Sequence, residues 1–319
     1  MYRLLFLTCL FASSQALCSW DSFMEFTQRH GKIYRTVEEM QKRFSVYEDN
    51  MRYVSEINAN QKNYTLGETR FADMTLDEFK TMQGMEVKAS TCGTYDQQVS
   101  SVPQSIDWRE KNAVTPVKDQ GQCGSCWSFS ATGAMEGAWA IAKGELVSLS
   151  EQELVDCSAG FHYGNHGCNG GLMDGAFQFA IDNGMCTEQE YSYTAKQGSC
   201  EQCTKEITIS SCQDVPSKNQ MALKEAVSIG PVSVAIEADT RTFQLYTGGV
   251  LTSDACGTNL DHGVLVVGYG TEGAQDYWLV KNSWGTSWGE DGYIKLGKTS
   301  STHNKGVCGI AMEPSYPVV

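Results

Sequence analysis

The sharpest local signal in the sequence lies at residues 116–130, which read P-V-K-D-Q-G-Q-C-G-S-C-W-S-F-S. Its last residues and those that follow predict a helix from Cys126 to Lys143 that ends at Gly144. Cys126 would then stand at the first turn, where the positive end of the helix dipole stabilises a thiolate and lowers the thiol pKa. Cys126 is therefore a candidate nucleophile.

A nucleophilic thiolate needs a proton carrier and an acceptor that holds the carrier in place, and two downstream motifs offer candidates for these roles. His262 lies in L-D-H-G-V-L-V-V-G-Y-G, and Asn282 lies in V-K-N-S-W-G. A histidine can carry the proton if an acceptor fixes its ring. Taken alone, a histidine beside a strand is more often a hydrogen-bonded core residue, and an asparagine near a tryptophan more often belongs to a turn.

Two other readings compete for the cysteines. C-G-S-C at 123–126 has the spacing of a thioredoxin-like redox pair, but no strand of a βαβ unit precedes it. A second C-x-x-C at 200–203 suggests half of a zinc site, but the two pairs are far apart and no suitably spaced histidine follows. We therefore expect neither a metal nor a cofactor.

Composition excludes several functional classes. The 319 residues are 41% hydrophobic and 19% charged, which is typical of a globular protein and not of a disordered or fibrous one. The net charge of −14 argues against nucleic acids and anionic membrane surfaces as partners. Thirteen cysteines, an odd number, favour an oxidising compartment and leave at least one thiol unpaired.

The chain divides into three segments at 1–18, 19–101 and 102–319. The first has Arg3 before an apolar run that is too short to span a bilayer, and it predicts a cleaved secretory signal peptide. The second is polar with a helical period and ends in a small, polar linker. The third carries most of the negative charge and the motifs above.

Within the third segment, a helical half precedes a β-rich half. Ser150 and Glu153 form a predicted capping box ahead of a helix at 151–157, and a further helix is expected at 172–183. Strands are expected at 232–237, 263–269, 277–281 and 293–296.

Four motifs in order resemble the papain family of cysteine proteases, in particular its cathepsin L-like branch. They are Q-G-Q-C-G-S-C-W, G-C-N-G-G, D-H-G-V and N-S-W-G-T-S-W-G, and the resemblance runs from about Trp20 to the end of the chain. It implies an α+β, papain-like two-domain fold. A helical N-terminal domain would face a β-barrel-like C-terminal domain across the active-site cleft, with a helical propeptide before both.

The resemblance also implies the catalytic roles. Cys126 is the nucleophile, and His262 is its ion-pair partner and general acid/base. Asn282 orients the imidazole under the shield of Trp284. Gln120 supplies the oxyanion-hole side chain together with the backbone N–H of Cys126.

Substrate contacts follow from the same resemblance. Glycines 170 and 171 allow an extended peptide to pair closely with the enzyme backbone. The remaining predicted binding residues, most of them around the pocket for the second residue before the cleaved bond (P2), are Leu172, Met173, Ala235, Leu260, Asp261, Gly263, Trp284 and Glu313. This pocket favours hydrophobic and aromatic residues. Glu313 either pairs with an arginine at P2 or points to solvent.

The segment at 19–101 resembles the inhibitory propeptide of the family. The residues that match its helix motif are Glu39, Arg43, Val46, Tyr47, Asn50, Val54 and Asn58. A second motif is matched at Gly67, Phe71 and Asp73, with Thr69 where Asn is commoner. The propeptide would block the cleft in reverse orientation and be released by cleavage near Val102–Pro103 on acidification. Asn63 begins a sequon, which leaves glycosylation open.

Three disulfides are implied by resemblance: Cys123–Cys168, Cys157–Cys200 and Cys256–Cys308. Cys92 falls in the propeptide linker. The usual pattern has no place for Cys186, Cys203 and Cys212, so the alternatives are a fourth bridge between two of them or competition of Cys203 with Cys200 for Cys157.

The sequence thus predicts a cysteine endopeptidase zymogen of the secretory pathway, either lysosomal or vacuolar or extracellular. Its expected partners are polypeptide substrates, its own propeptide and cystatin-type inhibitors, and it is expected to be a monomer without a membrane span. A homologue that keeps the fold without turnover is the alternative. The presence of all four candidate catalytic residues argues against it.

Overall fold

A computed structural model describes residues 20–85, 92–95, 101–252 and 255–319. The predicted signal peptide, residues 1–18, lies outside the described residues. Within those residues, no helix combines the length and the apolar composition that crossing a bilayer requires.

The N-terminal segment, residues 20–85 and 92–95, is mainly helical. Its elements are helices α1 (Trp20–Arg29), α2 (Val37–Asn60) and α3 (Leu76–Lys80) and strands β1 (Tyr64–Leu66) and β2 (Gly93–Thr94). Helix α2 begins where the side chain of Thr36 accepts a hydrogen bond from the Glu39 N–H. Of the motif residues on α2, Tyr47, Asn50 and Val54 are buried.

The helical half of the main body lies between residues 101 and 210. It contains strand β3 (Ile106–Asp107), helices α4 (Cys126–Lys143), α5 (Glu151–Cys157) and α6 (Met173–Asn183), and a short 3-10 helix (Gly167–Asn169). Gly144 ends α4 in the left-handed conformation that glycine adopts at low cost, as predicted. Helix α6 begins one residue later than expected.

The predicted capping box of α5 forms only in half. The Ser150 hydroxyl accepts from the Glu153 N–H at 2.9 Å. The Glu153 carboxylate does not return to Ser150 but accepts from the Cys186 N–H at 2.7 Å. The Ser150 N–H instead donates to the Cys186 carbonyl, because the chain at 186 runs directly beside this helix end.

The β-rich half supplies most of one large sheet. Its elements are β4 (Ser211–Asp214), α7 (Gln220–Ile229), β5 (Val232–Ile236), α8 (Arg241–Gln244), β6 (Tyr246–Leu251), β7 (His262–Glu272), β8 (Gln275–Lys281), β9 (Tyr293–Gly297), a 3-10 helix (Val307–Gly309) and β10 (Ser315–Val318). The strand order is β1-β6-β9-β8-β7-β5-β10-β4-β2, with β3 paired to β7. The N-terminal segment therefore contributes the strand at each end, and the predicted two-domain α+β architecture is confirmed.

Close packing of α4 on the sheet brings the two halves together. A Cβ on Gly133 would lie 2.7 Å from the Leu265 side chain, and one on Gly137 would lie 2.5 Å from Pro231. Only glycine allows this approach. Because α4 begins at Cys126 and β7 begins at His262, the packing places both residues at the same junction.

Five disulfides join the described cysteines. Three are the pairs that the resemblance implied, Cys123–Cys168, Cys157–Cys200 and Cys256–Cys308. Cys186 pairs with Cys203, so Cys203 does not compete for Cys157. Cys212 pairs with Cys92, which the sequence had left in the linker without a partner in the main body. Among the described cysteines, Cys126 alone is unpaired.

Candidate active site

The Cys126 thiol is fully buried at the first turn of α4. The Gly263 N–H points to its sulfur at 3.4 Å. Burial raises the thiol pKa to about 11, and backbone hydrogen bonds from Gly263 and Gly84 only partly offset it. The helix dipole alone predicted a lowered pKa. In this covered state the loss of water outweighs the dipole.

The His262 ring is held on two sides. Its Nε2 lies 2.8 Å from Asn282 Oδ1, which also accepts the Ser283 N–H at 2.8 Å. An oxygen that accepts from a backbone N–H requires the other partner to donate as well, so Nε2 carries the proton. The ring stacks on Trp284 with centroids 4.6 Å apart.

The remaining ring nitrogen, Nδ1, is buried and has no hydrogen-bond partner among the described residues. Burial lowers the His262 pKa to about 4, while the hydrogen bond with Asn282 acts in the opposite direction. Between about pH 4 and pH 11, the thiol and the imidazole are therefore both neutral in this state. A thiolate–imidazolium pair is disfavoured here because water is excluded from both groups.

Gln120 lies fully buried beside the nucleophile. Its Oε1 accepts from the Ser283 hydroxyl at 2.7 Å, which fixes the amide orientation. Its Nε2 donates to the Cys123 carbonyl at 2.9 Å and to the Met82 carbonyl at 3.1 Å. Met82 belongs to the N-terminal segment, so the amide donor is already occupied by a carbonyl of the same chain.

The N-terminal segment crosses the site at Gly84. The Gly171 N–H donates to the Gly84 carbonyl at 3.1 Å, and Met85 forms a parallel bridge with Gly171. A Cβ on Gly84 would lie only 2.2 Å from the carbonyl oxygen of Gly124. Glycine is therefore required for the crossing chain to lie this close to the main body.

Aromatic side chains of the N-terminal segment pack on Trp284, the predicted shield of Asn282 and His262. Phe71 and Phe79 meet Trp284 edge-on, with centroids 5.5 Å and 5.2 Å away. All three side chains are nearly or fully buried. An ion pair between Arg70 and Asp119 lies beside them. Trp284 thus packs against His262 on one side and the N-terminal segment on the other.

Only some of the residues predicted to form the P2 pocket lie around one cavity in the structure. Leu172, Met173 and Glu313 line a cavity of about 320 Å³. Asp174 and Asp214 also line it, together with Met85 and Thr94 of the N-terminal segment. Asp174 directly follows Met173 in the sequence, and this could have suggested that it also lies at the pocket. Nothing local in the sequence pointed to Asp214, which reaches the cavity only through the pairing of β4 with β10.

The other predicted contacts lie near the nucleophile or in the core. Gly263 bonds to Cys126 as described, Ala235 is fully buried, and Leu260 packs at the edge of the helical core. Asp261 accepts from the Ala238 N–H at 2.8 Å, and burial raises its pKa to about 7. Gly170 lies beside the crossing chain, where its added Cβ would come 3.0 Å from the Gly84 carbonyl oxygen.

The comparisons with known proteins agree with this geometry. Residues 102–318 match the model of the papain family cysteine proteases, and residues 23–79 match that of the cathepsin propeptide inhibitor domain (I29).

Two relatives and one solved structure show the extent of the similarity. Cysteine proteinase RD21A of Arabidopsis thaliana is 49% identical over 302 residues, which cover 91% of this chain but only 64% of that protein. Germination-specific cysteine protease 1 of the same plant is 46% identical over 317 residues, or 93% of this chain and 83% of that protein. Digestive procathepsin L 3 of the Tenebrio molitor larval midgut has a TM-score of 0.86 at 40% identity and covers 94% and 98% of the two chains.

Proposed function

Because the chain belongs to the papain family of cysteine proteases, we propose that it is the zymogen of an endopeptidase that cleaves peptide bonds through a Cys126 thioester. The observation that carries the proposal is the convergence of Cys126, His262, Asn282 and Gln120 beneath a reversed segment of the same chain.

The proposed reaction begins once the cleft is open to water. The Cys126 proton passes to His262 Nδ1, since Nε2 is held by Asn282. The thiolate attacks the carbonyl carbon, and the Gln120 amide and the Cys126 N–H stabilise the oxyanion. When the tetrahedral intermediate collapses, the C–N bond breaks and the imidazolium gives its proton to the leaving amine. Water, deprotonated by His262, then hydrolyses the thioester and restores the thiol.

Inhibition by the propeptide follows from three of its contacts. Met82 occupies the amide donor that the oxyanion would use, and Gly84 covers the thiol. The parallel bridge between Met85 and Gly171 supports a chain direction opposite to that of a substrate. The catalytic groups therefore face a peptide backbone that runs in the wrong direction for cleavage. We assign residues 19–101 to the propeptide and 102–319 to the mature peptidase, with cleavage near Val102–Pro103.

Specificity is assigned to the cavity beside Leu172 and Met173. Its apolar walls favour Leu, Phe or Val at P2, each by about 1.5–3 kcal/mol of transfer free energy. Asp174, Asp214 and Glu313 make its rim acidic and favour Arg as a second P2 residue.

The proposed setting is the secretory pathway, in a lysosomal or vacuolar compartment or outside the cell. The predicted signal peptide and the five disulfides support an oxidising route. The proposed partners are polypeptide substrates and cystatin-type inhibitors of a monomeric mature enzyme.

An irreversible thiol-directed epoxide tests the activity directly. After acid processing, one equivalent should label Cys126, as read by intact mass and peptide mapping, and hydrolysis of a fluorogenic peptide should stop in proportion. The matched Cys126→Ser chain should neither be labelled nor hydrolyse the peptide. A processed wild-type protein that remains unlabelled and inactive would favour the homologue without turnover.

A further inference from the structure

The disulfide between Cys92 and Cys212 links the propeptide to the peptidase across the cleavage site. Cys92 precedes Val102 in the chain, and Cys212 follows it. Hydrolysis at this position adds water across one C–N bond and leaves the S–S bond unchanged. The cut therefore produces two chains that remain covalently joined.

Backbone and side-chain contacts hold the propeptide side of this disulfide in place. Strand β2 pairs in parallel with residues 213 and 214 of β4 and forms the end of the sheet. The Tyr95 N–H extends this pairing by donating to the Asp214 carbonyl at 3.0 Å. The Tyr95 ring meets Tyr316 edge-on at 6.3 Å between centroids. Residues 92–95 are thus seated on the peptidase independently of the segment that blocks the cleft.

The cysteines of the peptidase support the same conclusion. Residues 102–319 contain ten cysteines, and four disulfides join eight of these to one another. The other two are the nucleophile, Cys126, and Cys212. Cys212 is buried, at 3% exposure, next to the residues of β4 that pair with β2. Within this set, the partner of Cys212 is supplied by the propeptide.

The seated strand also borders the specificity cavity. Thr94 lines it together with Leu172, Asp214 and Glu313. If residues 92–95 remain after cleavage, a residue encoded in the propeptide forms part of the P2 pocket of the mature enzyme.

We propose that the Cys92–Cys212 disulfide persists through maturation, so that the active enzyme has two chains and residues 92–95 remain on it, with Thr94 lining its P2 pocket; this rests on the proposed protease function. A second cut between Met85 and Cys92 opens the cleft and leaves the strand in place. Before that cut, the inhibitory segment remains tethered at a millimolar effective concentration, so the first cut alone does not activate the enzyme.

Intact mass tests the two-chain state. The zymogen is processed at acidic pH without added reductant, alkylated with iodoacetamide and analysed before and after reduction with TCEP. We expect a mass above that of residues 102–319 and release of a peptide containing Cys92 on reduction. An active single chain that lacks Cys92 and carries an alkylated Cys212 would overturn the proposal.

A propeptide substitution tests the pocket role. In a Thr94→Arg zymogen, the retained arginine would face Asp214 and Glu313 and compete with an arginine at P2. The ratio of kcat/KM for P2 Arg over P2 Phe should fall about fivefold or more in the mature enzyme. When Cys92→Ser and Cys212→Ser are added to Thr94→Arg, the disulfide no longer holds the arginine on the mature enzyme. The Arg/Phe ratio should then equal that of the Cys92→Ser, Cys212→Ser variant that keeps Thr94. A mature Thr94→Arg enzyme with unaltered specificity would overturn the pocket role.

Epoxide titration of Cys126 in every sample separates this inference from the activity on which it rests. If the processed proteins are labelled and active but single-chain, only the retained strand is wrong. If none is labelled or active whatever its chain composition, the proposed function fails instead.

Discussion

At the scale of single residues, Gln120 offers the cleanest test of transition-state stabilisation. Its amide is fixed by Ser283 and aimed at a propeptide carbonyl where the substrate oxyanion would form. Replacing Gln120 by Ala should lower kcat by about 10²–10³-fold, because one oxyanion donor is lost. The rate is measured with a fluorogenic peptide after active-site titration. Gln122→Ala, an exposed glutamine nearby, should keep kcat within about twofold of wild type.

Glu313 controls the charge of the specificity cavity. Partial burial raises its pKa, and the neighbouring Asp174 and Asp214 raise it further. Its carboxyl group therefore stays protonated and neutral to a higher pH than a free glutamate would, and it ionises only as the pH rises further. For P2 Arg substrates, kcat/KM should increase over this ionisation, whereas P2 Phe substrates should not follow it.

Glu313→Gln should remove this pH dependence and lower the Arg/Phe ratio about three- to tenfold. The measurement is kcat/KM for a matched pair of peptides across pH 4–7. Exposed Glu110 provides a control through Glu110→Gln, which should retain the wild-type ratio. An unchanged ratio in Glu313→Gln would assign the carboxylate to solvent.

The sequence motifs pointed to Cys126, His262, Asn282 and Gln120, which the structure brings together, but they did not indicate how burial changes the protonation of the thiol. Cys126 was expected to have a lowered pKa from its helix position, whereas burial raises it to about 11. The difference arises because the dipole is a local property of α4, while desolvation depends on a segment some 40 positions earlier in the chain. Thr69, which stands where Asn is commoner, still bonds to the peptidase: its hydroxyl donates to the Gln244 carbonyl at 2.9 Å.

At the scale of elements, the crossing segment depends on its glycine. The side chain in Gly84→Val cannot fit beside Gly124 without moving one of the two backbones. Overpacking of this kind costs about 1–3 kcal/mol, so the cleft should open about 5- to 150-fold more often. The measurement is the rate at which an uncharged epoxide labels Cys126 in the zymogen at neutral pH.

The control for this experiment is Gly31, a second propeptide glycine. Unlike Gly84, it has a positive φ, and an added Cβ there would have no neighbour within 4 Å. Gly31→Asn should leave the labelling rate unchanged, since Asn tolerates this conformation and no interface is affected. Equal labelling of both variants and wild type would show that Gly84 does not limit access to the thiol.

Long elements were predictable from the sequence because their own residues encode them. Helix α4 and strands β5, β7, β8 and β9 have apolar patterns that identify them before any partner is known. Strands β1 and β2, of three and two residues, have no such pattern. They exist because β6 and β4 offer free edges, and the Cys92–Cys212 link arises from the same pairing. Only the tertiary structure shows them.

At the scale of the whole molecule, the zymogen has a docked and an undocked state of the propeptide. In the docked state, ion pairs cross the interface between the propeptide and the peptidase, including Asp49–Arg241 at 2.5 Å and Lys80–Asp239 at 3.0 Å. Burial alone would raise the pKa of Asp49, but hydrogen bonds from Arg52 and Arg241 lower it overall. Arg52 lies on the same helix as Asp49, so only the bond from Arg241 contributes to docking. That contribution is present above the ordinary pKa of 3.8 and is lost as pH falls through the docked-state value.

Two buried groups act on docking in opposite directions at milder acidity. Burial in this docked structure lowers the His262 pKa from 6.5 to about 4. To the extent that undocking returns water to the ring, the undocked state binds more protons in this interval and docking weakens as pH falls. The pKa of Asp261 is raised from 3.8 to about 7, so to the extent that docking buries it, acidification strengthens docking. The intervals overlap, so the two effects oppose each other in the wild type.

Asp261→Asn removes the compensating group and leaves His262 to act alone. In a Cys126→Ser background, which prevents processing, docking should then weaken up to about tenfold per pH unit between pH 6.5 and 4. The midpoint of acid undocking should move upward by about one pH unit, as followed by acrylamide quenching of tryptophan fluorescence, because undocking uncovers Trp284. Exposed Asp291→Asn should retain the wild-type midpoint. Identical midpoints in Asp261→Asn and the parent would mean that Asp261 keeps its burial when the propeptide leaves, and that other groups set the acid response.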